Sequence, residues 1–72
     1  MNIKSKVGLR IKKLRELRKI SQLELSQLAD LDRTYVNSIE NGRRNVSIVN
    51  IERIAKALDI SVCEFFRSED FK

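Results

Sequence analysis

The stretch Ser21–Gly42, SQLELSQLADLDRTYVNSIENG, contains the start and stop signals of two short helices. Ser21 followed by Glu24 is the S-x-x-E pattern of a capping box, in which each side chain bonds the other residue's backbone N–H. A helix is therefore predicted over about residues 22–29. Its apolar positions at helical spacing, which should face inward, are Leu25, Leu28 and Ala29.

The next three residues, Asp30-Leu31-Asp32, should end that helix, because aspartate tolerates a left-handed backbone and also caps a following helix well. The next helix, the third of the chain, is predicted from residue 32 or 33 to about residue 41. It should bury Val36 and Ile39, and Gly42 supplies the left-handed residue that ends it. Two short helices joined by a turn of three or four residues form a helix-turn-helix, whose second helix enters the major groove of DNA.

The outward face of this second helix carries side chains that suit base edges in a major groove. Arginine forks onto guanine, threonine contacts thymine, and asparagine pairs with adenine. A solvated helix would more usually carry Glu and Lys, which favour helix formation, so this choice of Thr, Asn and Ser indicates a use. The polar positions that fall on this one face are Arg33, Thr34, Asn37, Ser38 and Asn41.

Apolar residues recur at helical spacing along the rest of the chain, which predicts an all-α fold: one compact domain of five helices over residues 1–72, with a core at about 7–66. The first helix should extend to about Arg18 or Lys19. A fourth should start after Ser47, and a short fifth, opened by a second S-x-x-E pattern at 61–64, should reach about Arg67. The ends, 1–5 and 68–72, are expected to be frayed. The apolar stripe of the first helix comprises Val7, Ile11, Leu14 and Leu17. The apolar stripe of the fourth helix comprises Ile48, Ile51, Ile54, Ala55 and Leu58.

Charge points to a polyanionic partner. Fifteen Lys and Arg against ten Asp and Glu give a net charge of +5, and residues 1–20 alone carry eight bases and one acid. Such a balance suits nucleic acid or an anionic membrane surface. The longest charge-free stretch, residues 45–51, is far shorter than the roughly 20 residues of a membrane span, and no N-terminal signal pattern is present. A cytoplasmic location is therefore expected.

Catalytic and metal-binding chemistry has few candidate residues. The chain contains no His and a single Cys, Cys63, whereas a zinc site draws three or four ligands from such residues. Gly8 and Gly42 are too far apart to form a glycine-rich phosphate loop. Cys63 is expected to be a small buried hydrophobe. We therefore predict no enzymatic activity, no metal and no cofactor.

These features together resemble the lambda-repressor-like (Cro and XRE type) helix-turn-helix family of phage repressors and bacterial regulators, over about residues 7–66. Within that family, the runs at 31–36 and 43–45 resemble the small controller proteins of restriction–modification systems. The chain departs from the family pattern at Lys19 and Asp30, where glycine is common. The residues that carry the resemblance are Val7, Gly8, Ile11, Leu14 and Arg15, then Ser21, Gln22, Leu25 and Ala29, then Ile39, Glu40, Asn41 and Gly42, and finally Ile51, Ile54–Leu58, Phe65 and Phe66.

The resemblance implies roles for residues at a DNA surface. Arg15 and Glu40 would pair and hold the reading helix against the first helix. Tyr35 is open between a base contact, a phosphate contact and a partly buried position. The residues expected to read bases are Arg33, Thr34, Tyr35, Asn37, Ser38 and Arg43. Those expected to contact the DNA backbone are Gln22, Asn41, Arg44 and Asn45.

A monomer of this size reads only about four to six base pairs, so a homodimer on a pseudo-palindromic operator is expected. One of two adjacent phenylalanines should face the partner and the other the core. The resulting hypothesis is a transcriptional regulator that, by resemblance, activates a restriction gene through RNA polymerase and represses at higher concentration, with a tetramer on DNA left open. The alternatives are a phage repressor or antitoxin-type autoregulator and, from another class, a helical protein–protein adaptor. The predicted dimer surface comprises Ile60, Val62, Phe65 and Phe66.

Overall fold

The computed structural model describes residues 2–72, and within that range it contains α-helices and one short 3₁₀ turn but no strand. The predicted all-α, five-helix class is confirmed. The helix α1 packs on α3, α3 on α2, α2 on α4, and α4 on α5, while the 3₁₀ turn lies on α1. The elements are α1 (Ile3–Leu17), α2 (Gln22–Ala29), α3 (Arg33–Glu40), α4 (Ile48–Ala57), α5 (Val62–Phe66) and the 3₁₀ turn (Glu69–Phe71).

The caps that define the helix-turn-helix form as predicted. The Ser21 Oγ accepts from the Glu24 N–H at 3.0 Å, and the Glu24 Oε1 accepts from the Ser21 N–H at 3.0 Å, so both halves of the capping box are present. Asp30 adopts the left-handed conformation, with φ 56°, and Asp32 caps α3. Gly42, with φ 73°, follows the end of α3. The turn chemistry of this segment is therefore encoded locally.

The core is a single apolar cluster to which all five helices contribute. Its largest fully buried side chain is Phe65, from the short α5. Ser26, from α2, is also buried, and its hydroxyl donates to the Leu23 carbonyl at 2.7 Å, so its burial leaves no unsatisfied group. The buried apolar residues are Val7, Ile11, Leu25, Ala29, Val36, Ile39, Ile51, Ile54, Ala55, Leu58 and Phe65.

Gly8 brings α1 into direct contact with the end of α3. A Cβ at this position would overlap the carbonyl oxygen of Ile39 and lie 3.0 Å from that of Glu40. Backbone atoms cannot move aside as a side chain can, so any larger residue must push the two helices apart. The position of α3, and hence of its outward face, depends on this close approach.

We expect Gly8→Ala to lower the free energy of unfolding by about 1–3 kcal/mol, because overpacking costs more than alanine gains in helix propensity. Chemical denaturation measures the change. Lys12→Ala, on the exposed side of the same helix, is the control and should unfold like the parent protein. A Gly8→Ala protein of parental stability would show that α1 can shift without loss.

Several predicted core positions are exposed instead. Leu17 is 77% exposed, Leu28 63% and Ile48 65%. Each lies at the edge of its stripe in the first or last turn of its helix, where no neighbouring helix covers it. Cys63 is also exposed, because it lies on the outer side of α5 while Phe65 faces the core. The prediction that Cys63 is buried is therefore wrong.

The described residues near both ends, 2–5 and 68–72, take part in helical structure, contrary to the prediction. Asn2 caps α1 by accepting from the Ser5 N–H at 2.9 Å, so α1 begins at Ile3. At the other end, Lys13 binds Asp70 at 3.1 Å, and the Phe71 ring lies 5.0 Å from that of Phe66. The expectation of a frayed C-terminal end fails because Lys13 and Asp70 are distant in sequence, whereas the Asn2 cap is a local contact within one turn; Met1 lies outside the described residues.

The contact with Lys13 lowers the pKa of Asp70 below its ordinary value, chiefly through the side-chain hydrogen bond, with a second one from Ser68. A carboxyl whose pKa is lowered by folding stabilises the folded state above its ordinary pKa near 3.8. That contribution is lost as the pH falls through the lowered value. The attachment of the 3₁₀ turn to α1 is therefore a feature of neutral solution that acid weakens.

Candidate nucleic-acid interface

The N-terminal half of α3 presents two free side chains to solvent. Arg33 and Thr34 are both exposed, and no hydrogen bond or ion pair among residues 2–72 engages either side chain. The Asp32 cap fixes the start of the helix beneath them, with its Oδ1 accepting from the Thr34 N–H at 3.4 Å. These two side chains are thus held on a rigid element and remain available to a partner.

A buried ion pair anchors the other end of α3 to α1. Arg15 donates from Nε and Nη2 to the two carboxylate oxygens of Glu40, at 2.8 and 3.0 Å, and from Nη1 to the Ile20 carbonyl at 3.0 Å. Only 13% of the Arg15 side chain and 3% of the Glu40 side chain are exposed. The hydrogen bond to Glu40 raises the pKa of Arg15 above its ordinary value. The structure therefore joins the two residues in the bidentate geometry that makes such pairs strong.

The ion pair extends into a chain of hydrogen bonds that reaches the outward face of α3. Gln22 donates from Nε2 to the Glu40 Oε1 at 3.1 Å and accepts at Oε1 from the Asn37 Nδ2 at 3.1 Å. Asn41 in turn donates to the Asn37 carbonyl at 2.9 Å and to its Oδ1 at 3.3 Å. Residues from α1, α2 and α3 thereby share one network, which the residue types alone did not reveal.

Tyr35 links α3 to the loop after it and to α4. Its hydroxyl accepts from the Asn50 Nδ2 at 3.0 Å, and the Arg44 guanidinium lies 5.5 Å from the ring centroid. The ring is half-buried and packs against the core. Sequence reasoning missed Asn50; its place in the first turn of α4, beside a loop expected at DNA, was the available signal.

The loop after α3 extends the exposed polar surface. Arg43, Arg44 and Asn45 are all exposed, and Ser38 is half-buried on the adjacent turn of α3. The Arg43 N–H donates to the Ser38 carbonyl at 3.0 Å, which folds the loop back against the helix. The exposed loop therefore adjoins the turn of α3 that carries Ser38, and Gln22 is joined to the same helix through Asn37.

The predicted dimer surface needs one correction. Phe65 is completely buried in the core, so it cannot contact a partner. Ile60, Val62 and Phe66 are half-buried and pack against the core. Phe66 also lines a largely apolar cleft of about 140 Å³, with Ile51 and Val46 among its walls.

Exposed apolar residues of α1 and α4 lie at or near that cleft. Ile3, which is 60% exposed, lines the cleft from α1. Ile48 and Val49 are 65% and 60% exposed, and Ile48 lies one helical turn before Ile51 on the same face of α4. These residues add to the apolar surface that Phe66 offers a partner.

None of the helices in the described part of the chain has the length and apolar character required to cross a membrane. Between residues 2 and 72, no cluster of three or more His, Cys, Asp or Glu side chains could hold a metal ion.

A helix-turn-helix family profile matches residues 11–65, which span the site just described, and the chain belongs to this family. Its similarity extends to the control protein C.MunI of a Mycoplasma species, which is 50% identical over 66 residues, or 90% of this chain and 89% of that protein. The crystal structure of the restriction-modification controller protein C.AhdI from Aeromonas hydrophila has a TM-score of 0.84 and 48% identity, covering 88% of this chain and 96% of that one.

A second controller protein has been solved on DNA. The C.Esp1396I tetramer in complex with its natural 35 base-pair operator has a TM-score of 0.86 and 39% identity, covering 92% of this chain and 87% of that one. The resemblance to the lambda-repressor-like family, and within it to controller proteins, is thereby confirmed.

Proposed function

We propose that this protein is a sequence-specific DNA-binding regulator of transcription that controls a restriction–modification operon as a homodimer. The observation that carries the proposal is the exposed pair Arg33 and Thr34, unengaged within residues 2–72 and fixed on the second helix of a helix-turn-helix. Side chains in that position reach base edges when the helix lies in a major groove. The similarity to controller proteins supports the operon assignment.

The assembly belongs to the same proposal. Two copies related by a two-fold axis would place their reading helices about 34 Å apart, on successive major grooves of a pseudo-palindromic operator. Ile60, Val62 and Phe66 remain from the predicted dimer surface, because each is only partly buried. The exposed Ile3, Ile48 and Val49 are further apolar side chains available for that contact. The controller tetramer seen on a 35 base-pair operator supports a second dimer on DNA here as well. The proposal includes regulation in both directions: contact with RNA polymerase and activation at low concentration, then repression at high concentration. It also includes a cytoplasmic location and the absence of enzymatic activity.

The experiment that tests this function is selection of bound sequences from a random duplex pool. A regulator of this kind enriches one pseudo-palindrome, with half-sites spaced by about one helical turn. A helical adaptor enriches none, and its affinity for duplex does not depend on sequence. A phage repressor or antitoxin would also enrich a palindrome, and the genes beside the recovered site in its own genome separate those assignments.

Arg33→Ala should weaken binding to the selected site by about 1–3 kcal/mol and relax discrimination at one base position. Binding to random duplex should change much less, because a lost base contact carries sequence information that a lost phosphate contact does not. Titration on both duplexes measures the difference. Equal losses on the two would show that Arg33 contacts phosphate.

Arg44→Ala should weaken binding to all duplexes and lower the slope of log K against log salt by about one, as one phosphate contact is lost. Arg53→Ala is the matched control: it removes the same charge from an exposed site on α4, in a cleft that it shares with Leu28 and Asp30. We expect the control to keep the parental slope. An unchanged slope in Arg44→Ala would place the loop away from DNA.

A further inference from the structure

We infer that Asn37 is a positioning residue of the DNA interface and does not read a base, although its residue type and its place on α3 suggested reading. This inference rests on the proposed function. Both ends of its carboxamide are already engaged within the protein: Nδ2 donates to the Gln22 Oε1 at 3.1 Å, and Oδ1 accepts from the Asn41 Nδ2 at 3.3 Å. Bidentate recognition of adenine requires a free donor and a free acceptor on the same amide. One N–H of Nδ2 and one lone pair of Oδ1 remain, but the two internal bonds fix the direction of the amide, and turning it to face a base edge would break them.

The residue that Asn37 positions is Gln22. A glutamine carboxamide has two N–H donors and one carbonyl oxygen. The Gln22 oxygen is held by Asn37, and one of its donors is held by Glu40 at 3.1 Å, which leaves one donor whose direction is fixed by these two bonds. The Gln22 backbone N–H, in the first turn of α2, has no partner inside the helix. Two donors are thus held at the edge of the interface, where a phosphate oxygen can accept from both.

The same bonds relate phosphate contact to the orientation of α3. Glu40 is the last residue of α3, is almost completely buried, and is held by Arg15 of α1. Gln22 therefore bridges a fixed point at the end of α3 and Asn37 one turn earlier. A phosphate held by Gln22 would fix the register of α3 on the duplex, and Arg33 and Thr34 would then meet defined base pairs. In this arrangement Asn37 influences affinity through Gln22 rather than through a base.

The test compares Asn37→Ala, Gln22→Ala and the double variant for binding to the selected operator and to random duplex, together with base preference at every operator position. We expect Asn37→Ala to lose about three- to tenfold in affinity on both duplexes, the value of one or two hydrogen bonds, with an unaltered base preference. The double variant should bind no more weakly than Gln22→Ala, since Asn37 acts through Gln22. Arg33→Ala serves as the reference for a base-reading loss.

Asn37→Ala should not lose affinity through unfolding, because Asn37 is exposed and alanine is a better helix former than asparagine. Thermal unfolding of each variant checks this. Loss of discrimination at one base position in Asn37→Ala, or losses that add in the double variant, would overturn the inference while leaving the proposed function intact. A parent protein that enriches no duplex sequence would overturn the proposed function and, with it, the role of Asn37.

Discussion

Glu40→Ala should lower the free energy of unfolding by about 3 kcal/mol, a large share of the total for a chain of this size. The substitution leaves Arg15, only 13% exposed, without its carboxylate partner and with only the Ile20 carbonyl as an acceptor. A buried charge that loses its partner costs more than the pair itself contributes. Denaturant unfolding, followed by circular dichroism, measures the loss.

The double variant Arg15→Met/Glu40→Leu separates stability from positioning. Because both charges are removed and similar volumes are restored, most of the lost stability should return. Affinity for the operator should nevertheless remain low, since Gln22 loses the carboxylate that orients its amide. A Glu40→Ala protein that unfolds at the same denaturant concentration as the parent protein would show that the ion pair does not contribute to the free energy of unfolding. A double variant with parental affinity would show that Glu40 does not orient Gln22.

Phe65→Ala should lower the free energy of unfolding by about 3–5 kcal/mol, because Phe65 is the largest fully buried side chain and its removal leaves a cavity in the core. In a domain of 72 residues this lowers the melting temperature by about 15 °C or more. Phe65→Leu fills part of the cavity and should keep the protein folded at room temperature with a smaller loss. Neither variant should alter the strength of dimerisation, since Phe65 has no exposed surface.

Phe66→Ala should weaken dimerisation strongly and lower the free energy of unfolding less than Phe65→Ala does. Its ring is half-buried, lies edge-on to Phe65 at 5.0 Å and lines the apolar cleft beside Ile51. A buried aromatic anchor at a dimer contact is worth several kcal/mol, enough to give monomers at micromolar concentration. Sedimentation equilibrium of Phe66→Ala and Phe65→Leu distinguishes the two rings. If both remain dimers, Phe66 does not carry the contact, and the exposed Ile48, Val49 and Leu23 are the next residues to change.

The parts of the fold that the sequence predicted correctly are those set by neighbours in the chain. The capping box of Ser21 and Glu24, the left-handed Asp30 and the stop at Gly42 each depend on residues within one turn. The errors lie where a contact spans the chain. The attachment of Asp70 to Lys13 depends on how the 3₁₀ turn packs on α1, and no local pattern encodes that packing.

The prediction that Leu28 and Ile48 are buried was wrong for a related reason. Leu28 and Ile48 have apolar side chains at helical spacing, but α2 and α4 are short, and a residue at the edge of a stripe is covered only if a neighbouring helix happens to extend over it. At the site, residue types indicated a polar reading surface, yet the hydrogen bond from Asn37 to Gln22 requires the spatial relation between α2 and α3. Composition could suggest which side chains meet DNA but not which of them are already occupied.

The free state of Arg33 and Thr34 has a consequence for how binding preference can diverge among related chains. Because neither side chain forms a hydrogen bond or ion pair within residues 2–72, we expect exchanging them to alter the bases that the proposed regulator recognises, at little cost in folding. Asn37 lacks that freedom, since a change there also disturbs Gln22. Drift in operator sequence should therefore concentrate at the base pairs beneath the start of α3, where a duplicated gene can acquire a new target by single substitutions without first losing its fold.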